Sequence, residues 1–186
     1  MINPVESETP PLTPETGFSK ISRLKPNRVQ RTVLRLAAIQ FNSRWLSILL
    51  PRLDPPVIYL SRGRTSLTTL LTGLPVVILT TRGRRSGQPR RHTLVGIPDE
   101  GKIILIASNF GRPAHPGWYY NLRADPRAQL SLDGHTYRCL ARLASGVERE
   151  EYLHRAEGIY PGFRAYQQRA APREIGVFVL EWMAGV

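Results

Sequence analysis

The spacing of apolar residues divides the chain into unlike parts. Across 27–50, Val33, Ala37, Phe41, Trp45 and Leu49 follow one another at every fourth position, the stripe of an amphipathic helix. Asn27 suits its N-cap and Pro51 stops it. Arg28, Arg31 and Arg35 cluster on a different face near its start. From residue 75 onward the pattern shortens into runs that alternate or stay apolar, the mark of strands. These predict strands at 75–80, 90–98, 102–107, 128–132, 135–143 and 175–181. Asp133-Gly134 is a strong two-residue hairpin signal, and Asp99-Glu100-Gly101 a second turn. Ser145 with Glu148 reads as a capping box opening a helix over 147–157. Further short helices are expected at 65–71, after Pro116, and over 162–170.

Strands joined mostly by hairpins, with few helices long enough for crossovers, predict a mainly β fold with flanking helices. Its sheet is six-stranded, antiparallel, and closed or nearly closed as a barrel. Before it, residues 1–20 carry Pro4, Pro10, Pro11 and Pro14 with little apolar content, which predicts a disordered tail. The expected organisation is therefore a tail at 1–20, an amphipathic helical segment at 21–74, and a barrel domain at 75–186.

Charge sharpens this picture. The net charge of +12 is unevenly spread: residues 16–98 hold fifteen Lys/Arg and the single acid Asp54, and the remainder is slightly acidic. Such a field selects anionic partners, namely a phosphorylated cofactor, an anionic lipid surface or nucleic acid. The single Cys139 excludes an intramolecular disulfide and any cysteine metal cluster, and its alternating surroundings predict a buried bystander thiol. The N-terminus is not a secretory signal, and no run approaches the ~20 apolar residues that span a bilayer. The expectation is a cytoplasmic protein, at most peripheral to the inner face of the cell membrane. The basic helix at 27–50 either packs on the domain, lies on anionic lipid or lids an apolar channel.

Much of the charge falls in one loop. Between the first two strands the chain carries Arg82, Arg84, Arg85, Arg90 and Arg91 together with Gly83, Gly87 and Ser86. Arginine forks and free backbone N–H groups in a glycine-rich turn hold phosphate or carboxylate, although a solvated basic hairpin tip has the same composition. It is not a Walker loop, because no Gly-Lys-Ser/Thr follows and the next segment is a strand. A second constellation follows the third strand: Ala107, Ser108 and Asn109, an irregular loop through His115, then Gly117, Trp118, Tyr119, Tyr120 and Asn121. An indole can lie against a planar ring while Ser108 or Asn109 bonds its polar edge. A Trp-Tyr-Tyr run also suits a core. His92, His115, His135 and His154 have no metal-ligand spacing, so no metal site is expected. There is no Gly-x-Ser-x-Gly elbow and no evident carboxylate pair, so any difficult chemistry falls to a cofactor.

Together these stretches resemble the deazaflavin-dependent nitroreductase family. The resemblance rests on Leu79-Thr80-Thr81, Gly83-Arg84-Arg85-Ser86-Gly87-Gln88-Pro89-Arg90, Ala107-Ser108, and His115-Pro116 with Trp118-Tyr119, Asn121-Leu122, Ala124 and Pro126. It continues through Tyr160-Pro161-Gly162-Phe163, Tyr166 and Arg173-Glu174-Ile175, so that it covers roughly 75–181. It implies a split β-barrel and a coenzyme F420-dependent oxidoreductase acting on a quinone, nitroaromatic or activated enone. An FMN-dependent reductase and a non-catalytic lipid or cofactor binder at a membrane are the alternatives. By the resemblance, Arg84, Arg85, Ser86, Arg90 and Arg91 would hold the phosphate and acidic tail. His92, Thr93, Leu94 and Val95 on the second strand, Ile106, Ala107, Ser108 and Asn109, and Gly117 to Asn121 would line the deazaflavin. Tyr160, Phe163 and Tyr166 would belong to a segment covering the substrate, with Phe163 also among the cofactor-binding residues and Ser108 or Tyr160 as the catalytic proton source. Val95 and Phe163 stand where the nitroreductase has tyrosine, which removes two hydroxyls able to orient a substrate. No nucleic-acid module is present, and the resemblance gives the arginines another partner. The sequence sets no oligomeric state.

Overall fold

A computed structural model describes Thr32, Pro56, Val57, Leu60 and residues 76–183 except 133, 134 and 161. The tail at 1–20, the amphipathic helix at 27–50 and the short helix at 65–71 lie outside the described residues, save Thr32.

Strands β1 (Val76–Arg82), β2 (Pro89–Asp99), β3 (Lys102–Ile106), β4 (Arg127–Leu132), β5 (His135–Leu143) and β6 (Val177–Trp182) close a barrel in the order β1-β2-β3-β6-β5-β4. Every neighbouring pair is antiparallel. The six strands are those the apolar pattern predicts, with ends shifted by at most two residues. Pairing of Leu132 with His135 makes the β4–β5 connection two residues long, as Asp133-Gly134 predicts. Within the described residues 76–183, three α-helices flank the barrel: α1 (Gly117–Ala124), α2 (Gly146–Ile159) and α3 (Phe163–Ala170).

Two apolar clusters hold these elements together. Inside the barrel Val77, Leu79, Ile103, Leu105, Leu130, Cys139, Phe178 and Leu180 pack with Trp118 and Leu122 of α1. On the outer face of β3 and β6, Ile104, Val177 and Val179 pack with Leu153, Ala156, Phe163, Tyr166 and Ala170 of α2 and α3. Strands β3 and β6 are therefore covered on both faces, which explains their unbroken apolar runs Ile103–Ile106 and Val177–Leu180. Each fully buried side chain of this size contributes about 1.5–3 kcal/mol by leaving water.

Helix α2 is pinned by polar contacts. Tyr152 donates to Asp99 Oδ2 at 2.8 Å, and Arg155 donates to the same carboxylate and to the Pro98 carbonyl. The capping box does not form. Ser145 occupies the N-cap without a side-chain bond to the helix, and Glu148 is taken by the Arg142 guanidinium at 2.6 and 2.7 Å. A charge-assisted fork outcompetes one neutral backbone N–H.

Candidate active site

The basic loop and the aromatic turn, 30 or more residues apart in sequence, meet in space. Residues 83–88 connect β1 to β2, whose last pair is Arg82 with Pro89. The loop is closed by Gly83 N–H donating to the Gln88 carbonyl at 2.8 Å and Gly87 N–H donating to the Gly83 carbonyl at 2.7 Å. Gly87 has φ +68°, a conformation that suits glycine, and a Cβ on Gly83 would stand 2.8 Å from Ser86 Oγ. Ser86 Oγ accepts from the Gln88 N–H at 3.3 Å and the Arg90 guanidinium at 3.4 Å, so it braces the loop from within.

Asn121 ties this loop to α1. Its side chain is 7% exposed, donates to Thr81 Oγ1 at 3.0 Å, and accepts the Arg84 backbone N–H at 3.1 Å. The Arg84 guanidinium lies over the Tyr120 ring, 4.7 Å from its centroid. Arg84, Arg85, Arg90 and Arg91 are exposed, and among the described residues none has a carboxylate partner within ion-pair distance. A glycine turn presenting several unpaired guanidinium groups fits a polyanionic ligand. Beside it, His92 Nε2 is buried with no hydrogen-bond partner, while burial and then the charge of Arg90 hold its imidazole below the usual histidine range.

Strand alternation divides the β2 residues expected to line a ring. Leu94 packs on the barrel interior and His92 pairs across from the interior Leu79; Arg91, Thr93 and Val95 alternate to the outer face. The structure does not bring His92, Thr93, Leu94 and Val95 onto one surface. Ile106 packs against the outer cluster, whereas Ala107 belongs to the interior. In α1, Trp118 is 3% exposed, tilted 5.8 Å from Phe178 inside the barrel, and its indole serves the core. Gly117 is exposed, with open space where a side chain would be. Tyr119 and Tyr120 are half-buried, with ring centroids 5.4 Å apart.

The segment after β3 turns sharply. Asn109, Phe110 and Gly111 have φ of +48°, +56° and +74° in succession. Asn109 Nδ2 donates to the Ala114 carbonyl at 2.8 Å. Helix α3 presses on this turn: a Cβ on Gly111 would stand 3.0 Å from the Tyr166 carbonyl oxygen, and Phe110 meets the Tyr166 ring edge-on at 6.1 Å. Tyr160 lies 5.6 Å and the buried Phe163 6.4 Å from Tyr166, centroid to centroid. The C-terminal aromatics therefore adjoin the segment bearing Ser108 and Asn109. Burial pushes the Tyr160 phenol up, partly offset by a hydrogen bond with Tyr166 and the Arg169 charge, so it keeps its proton at neutral pH.

A sequence model of the F420H2-dependent quinone reductase family matches residues 57–182, spanning all six strands. The chain belongs to the F420H2-dependent quinone reductase family. Among relatives, an F420H2-dependent quinone reductase of Mycobacterium tuberculosis is 36% identical over 58 residues, 31% of this chain and 39% of its own. The chain thus spans about two-fifths of that relative's length. A second M. tuberculosis protein, provisionally named for the same activity, is 30% identical over 94 residues, 50% of this chain and 79% of its own. Two solved structures share the barrel. An F420H2-dependent reductase is 35% identical with a TM-score of 0.53, over 57% of this chain and 94% of that one. A domain-swapped dimer is 33% identical with a TM-score of 0.55, over 65% and 87%. In this member of the quinone reductase family, two groups at the site carry no site role in the sequence pattern. His115 has no metal-ligand spacing, and Arg173 stands out only within the C-terminal block. Both sit among the segments just described.

Proposed function

We propose that the chain catalyses reduction of a quinone, nitroaromatic or activated enone by reduced coenzyme F420. The observation that carries this reading is the union of two ends. Guanidinium groups with no carboxylate partner among the described residues lie at one end, rings and backbone carbonyls at the other, joined through Arg84, Tyr120 and Asn121. Arg84, Arg85, Arg90 and Arg91, with Ser86 holding their loop, bind the coenzyme's phosphate and acidic tail. The outward face of β2 and the edge at Ile106 to Asn109 receive its ring, with Tyr119 and Tyr120 of α1 beside the basic loop. F420H2, when bound, supplies a hydride to the acceptor. Ser108 polarises the acceptor oxygen, and the Tyr160 phenol, kept protonated by burial, donates the proton that oxygen takes up. One hydride and one proton complete a quinone's two-electron conversion to the hydroquinone, and a proton from solvent then restores the Tyr160 phenol. The basic amphipathic pattern at 27–50 supports a lipid-soluble quinone as acceptor.

The test is to mix purified protein with F420H2 and a menaquinone analogue or a nitroaromatic and follow the coenzyme's absorbance. Turnover with either supports the proposal; neither binding nor oxidation across several acceptors removes it. A protein that purifies yellow with bound FMN selects the flavin-dependent alternative. Persistent liposome binding without turnover selects a non-catalytic binder.

A further inference from the structure

The three consecutive left-handed residues Asn109, Phe110 and Gly111 need an external restraint, because only Gly111 adopts that conformation without steric cost. Arg173, in the stretch between α3 and β6, meets them from the opposite side. Its guanidinium donates to the Ser108 carbonyl at 2.9 Å, the Ala107 carbonyl at 3.2 Å, and the Arg112 carbonyl at 2.9 and 3.2 Å. Its Nη1 also stands 3.3 Å from His115 Nδ1. These carbonyls bracket the left-handed run on both sides. Among the described residues Arg173 has no carboxylate within ion-pair distance, so carbonyl dipoles and a neutral imidazole satisfy this half-buried cation. His115 in turn stacks flat on Tyr119, with centroids 3.8 Å apart and planes at 5°, and meets Tyr120 edge-on. Arg84 of the basic loop lies over that same Tyr120.

We propose that Arg173 is a positioning residue for this reduction. Its guanidinium fixes the 107–112 turn, and with it Ser108, and seats the His115–Tyr119–Tyr120 stack against the loop that binds the coenzyme's tail. The proposal rests on the reductase reading for its kinetic consequence but not for its structural one. A planar fork with five donors is required, because an ammonium on a longer, flexible stem cannot reach three carbonyls and an imidazole in one plane. The bond also demands a neutral His115 with its proton on Nε2. The groups set against His115 are Arg173, Tyr119 and Tyr120, and Arg84 lies over the Tyr120 ring. Burial and then the Arg173 charge hold His115 below its ordinary value of 6.5.

The experiment compares wild type, Arg173→Gln and Arg173→Lys by histidine NMR titration, F420 binding and turnover, with His115→Asn identifying the His115 signal. In Arg173→Gln the His115 titration should move up towards its ordinary value. The same variant's kcat should fall about tenfold to a hundredfold, the scale of a misplaced reacting group, while the dissociation constant for F420 rises by a smaller factor as the stack loosens against the loop. Arg173→Lys should lose kcat similarly, despite keeping the charge. If Arg173→Gln does not fold, Arg173→Lys carries the kinetic reading, and its His115 line is expected to shift as the Nδ1 contact is lost. An unchanged His115 titration in a folded variant, or wild-type kcat in either, overturns the proposal. Wild-type protein that never oxidises F420H2 overturns the reductase reading alone, leaving the His115 titration to decide whether Arg173 holds the stack.

Discussion

Arg85 and Asn121 stand on the same loop–helix junction yet differ in kind. Arg85 is exposed, so its attraction for an acidic tail is screened by solvent and salt. Arg85→Glu should weaken F420 by on the order of 1–2 kcal/mol, more at low ionic strength, in isothermal titration. Binding that ignores both the reversal and the salt would make the loop an ordinary solvated tip. Asn121 is buried and satisfies both Thr81 and the Arg84 backbone. Asn121→Ala should cost about 1–3 kcal/mol in chemical unfolding, because it strands a buried hydroxyl and an N–H, and should also weaken F420 by loosening the loop. Stability lost with no change in affinity would separate Asn121 from the site. At this scale the sequence was informative wherever function is written in composition, as in the arginine loop. It was silent on Arg173, whose partners lie 58 to 66 residues away and include backbone carbonyls that no side-chain pattern reveals.

The strands were legible because one buried face imposes alternation and because Asp99-Glu100-Gly101 and Asp133-Gly134 punctuate it. Their neighbours were not: β6 enters between β3 and β5, a pairing decided by the closure of the whole sheet. The capping box expected at Ser145 and Glu148 fails for a local reason, since Arg142 at the end of β5, six residues before Glu148, is the stronger partner. Helix α3 depends on the absence of a side chain at Gly111. Gly111→Ala places a methyl 2.9 Å from Arg169 Cβ and 3.0 Å from the Tyr166 carbonyl, at φ +74°. It should lift α3 from the turn, speeding amide exchange in Phe163–Ala170 while the barrel strands stay protected; unchanged exchange would mean α3 does not seal the site. Helix α2 should respond to acid. Burial raises the Asp99 pKa, but bonds from Tyr152 and Arg155 and the charges of Arg155 and Lys102 outweigh it, leaving it below its ordinary 3.8. Glu148 lies below 4.5, chiefly through Arg142. Carboxylates depressed in the folded state stabilise it above their unfolded pKa, and that contribution is lost as pH falls through the folded one. Because the pairs are partly exposed, each contributes about 1 kcal/mol or less. Protection factors for the amides of Gly146–Ile159, which allow for the slower intrinsic exchange in acid, should therefore fall ahead of those of the barrel as pH falls below about 4. Simultaneous loss of both would contradict this order.

For the molecule as a whole, the positive field of residues 16–98 and the closed barrel give one account. The sheet supplies a rigid frame, and β1, β2 and α1 gather cations at one edge of it. Barrel closure also sets the loop after β3 beside α1, so that the anionic end of a coenzyme and its ring can be held by one body. In this arrangement Arg84 and its neighbours would grip the tail of a coenzyme whose ring lies towards Ser108. The most direct measurement is an equilibrium titration of the wild-type protein and an Arg84→Glu/Arg85→Glu double variant with F420 and with FMN at two salt concentrations. The account predicts that wild type binds F420 in preference to FMN, that the double variant loses F420 affinity by about tenfold to a hundredfold at low salt, and that this loss shrinks at high salt. F420 binding equal in both proteins, or FMN bound more tightly than F420, would contradict it.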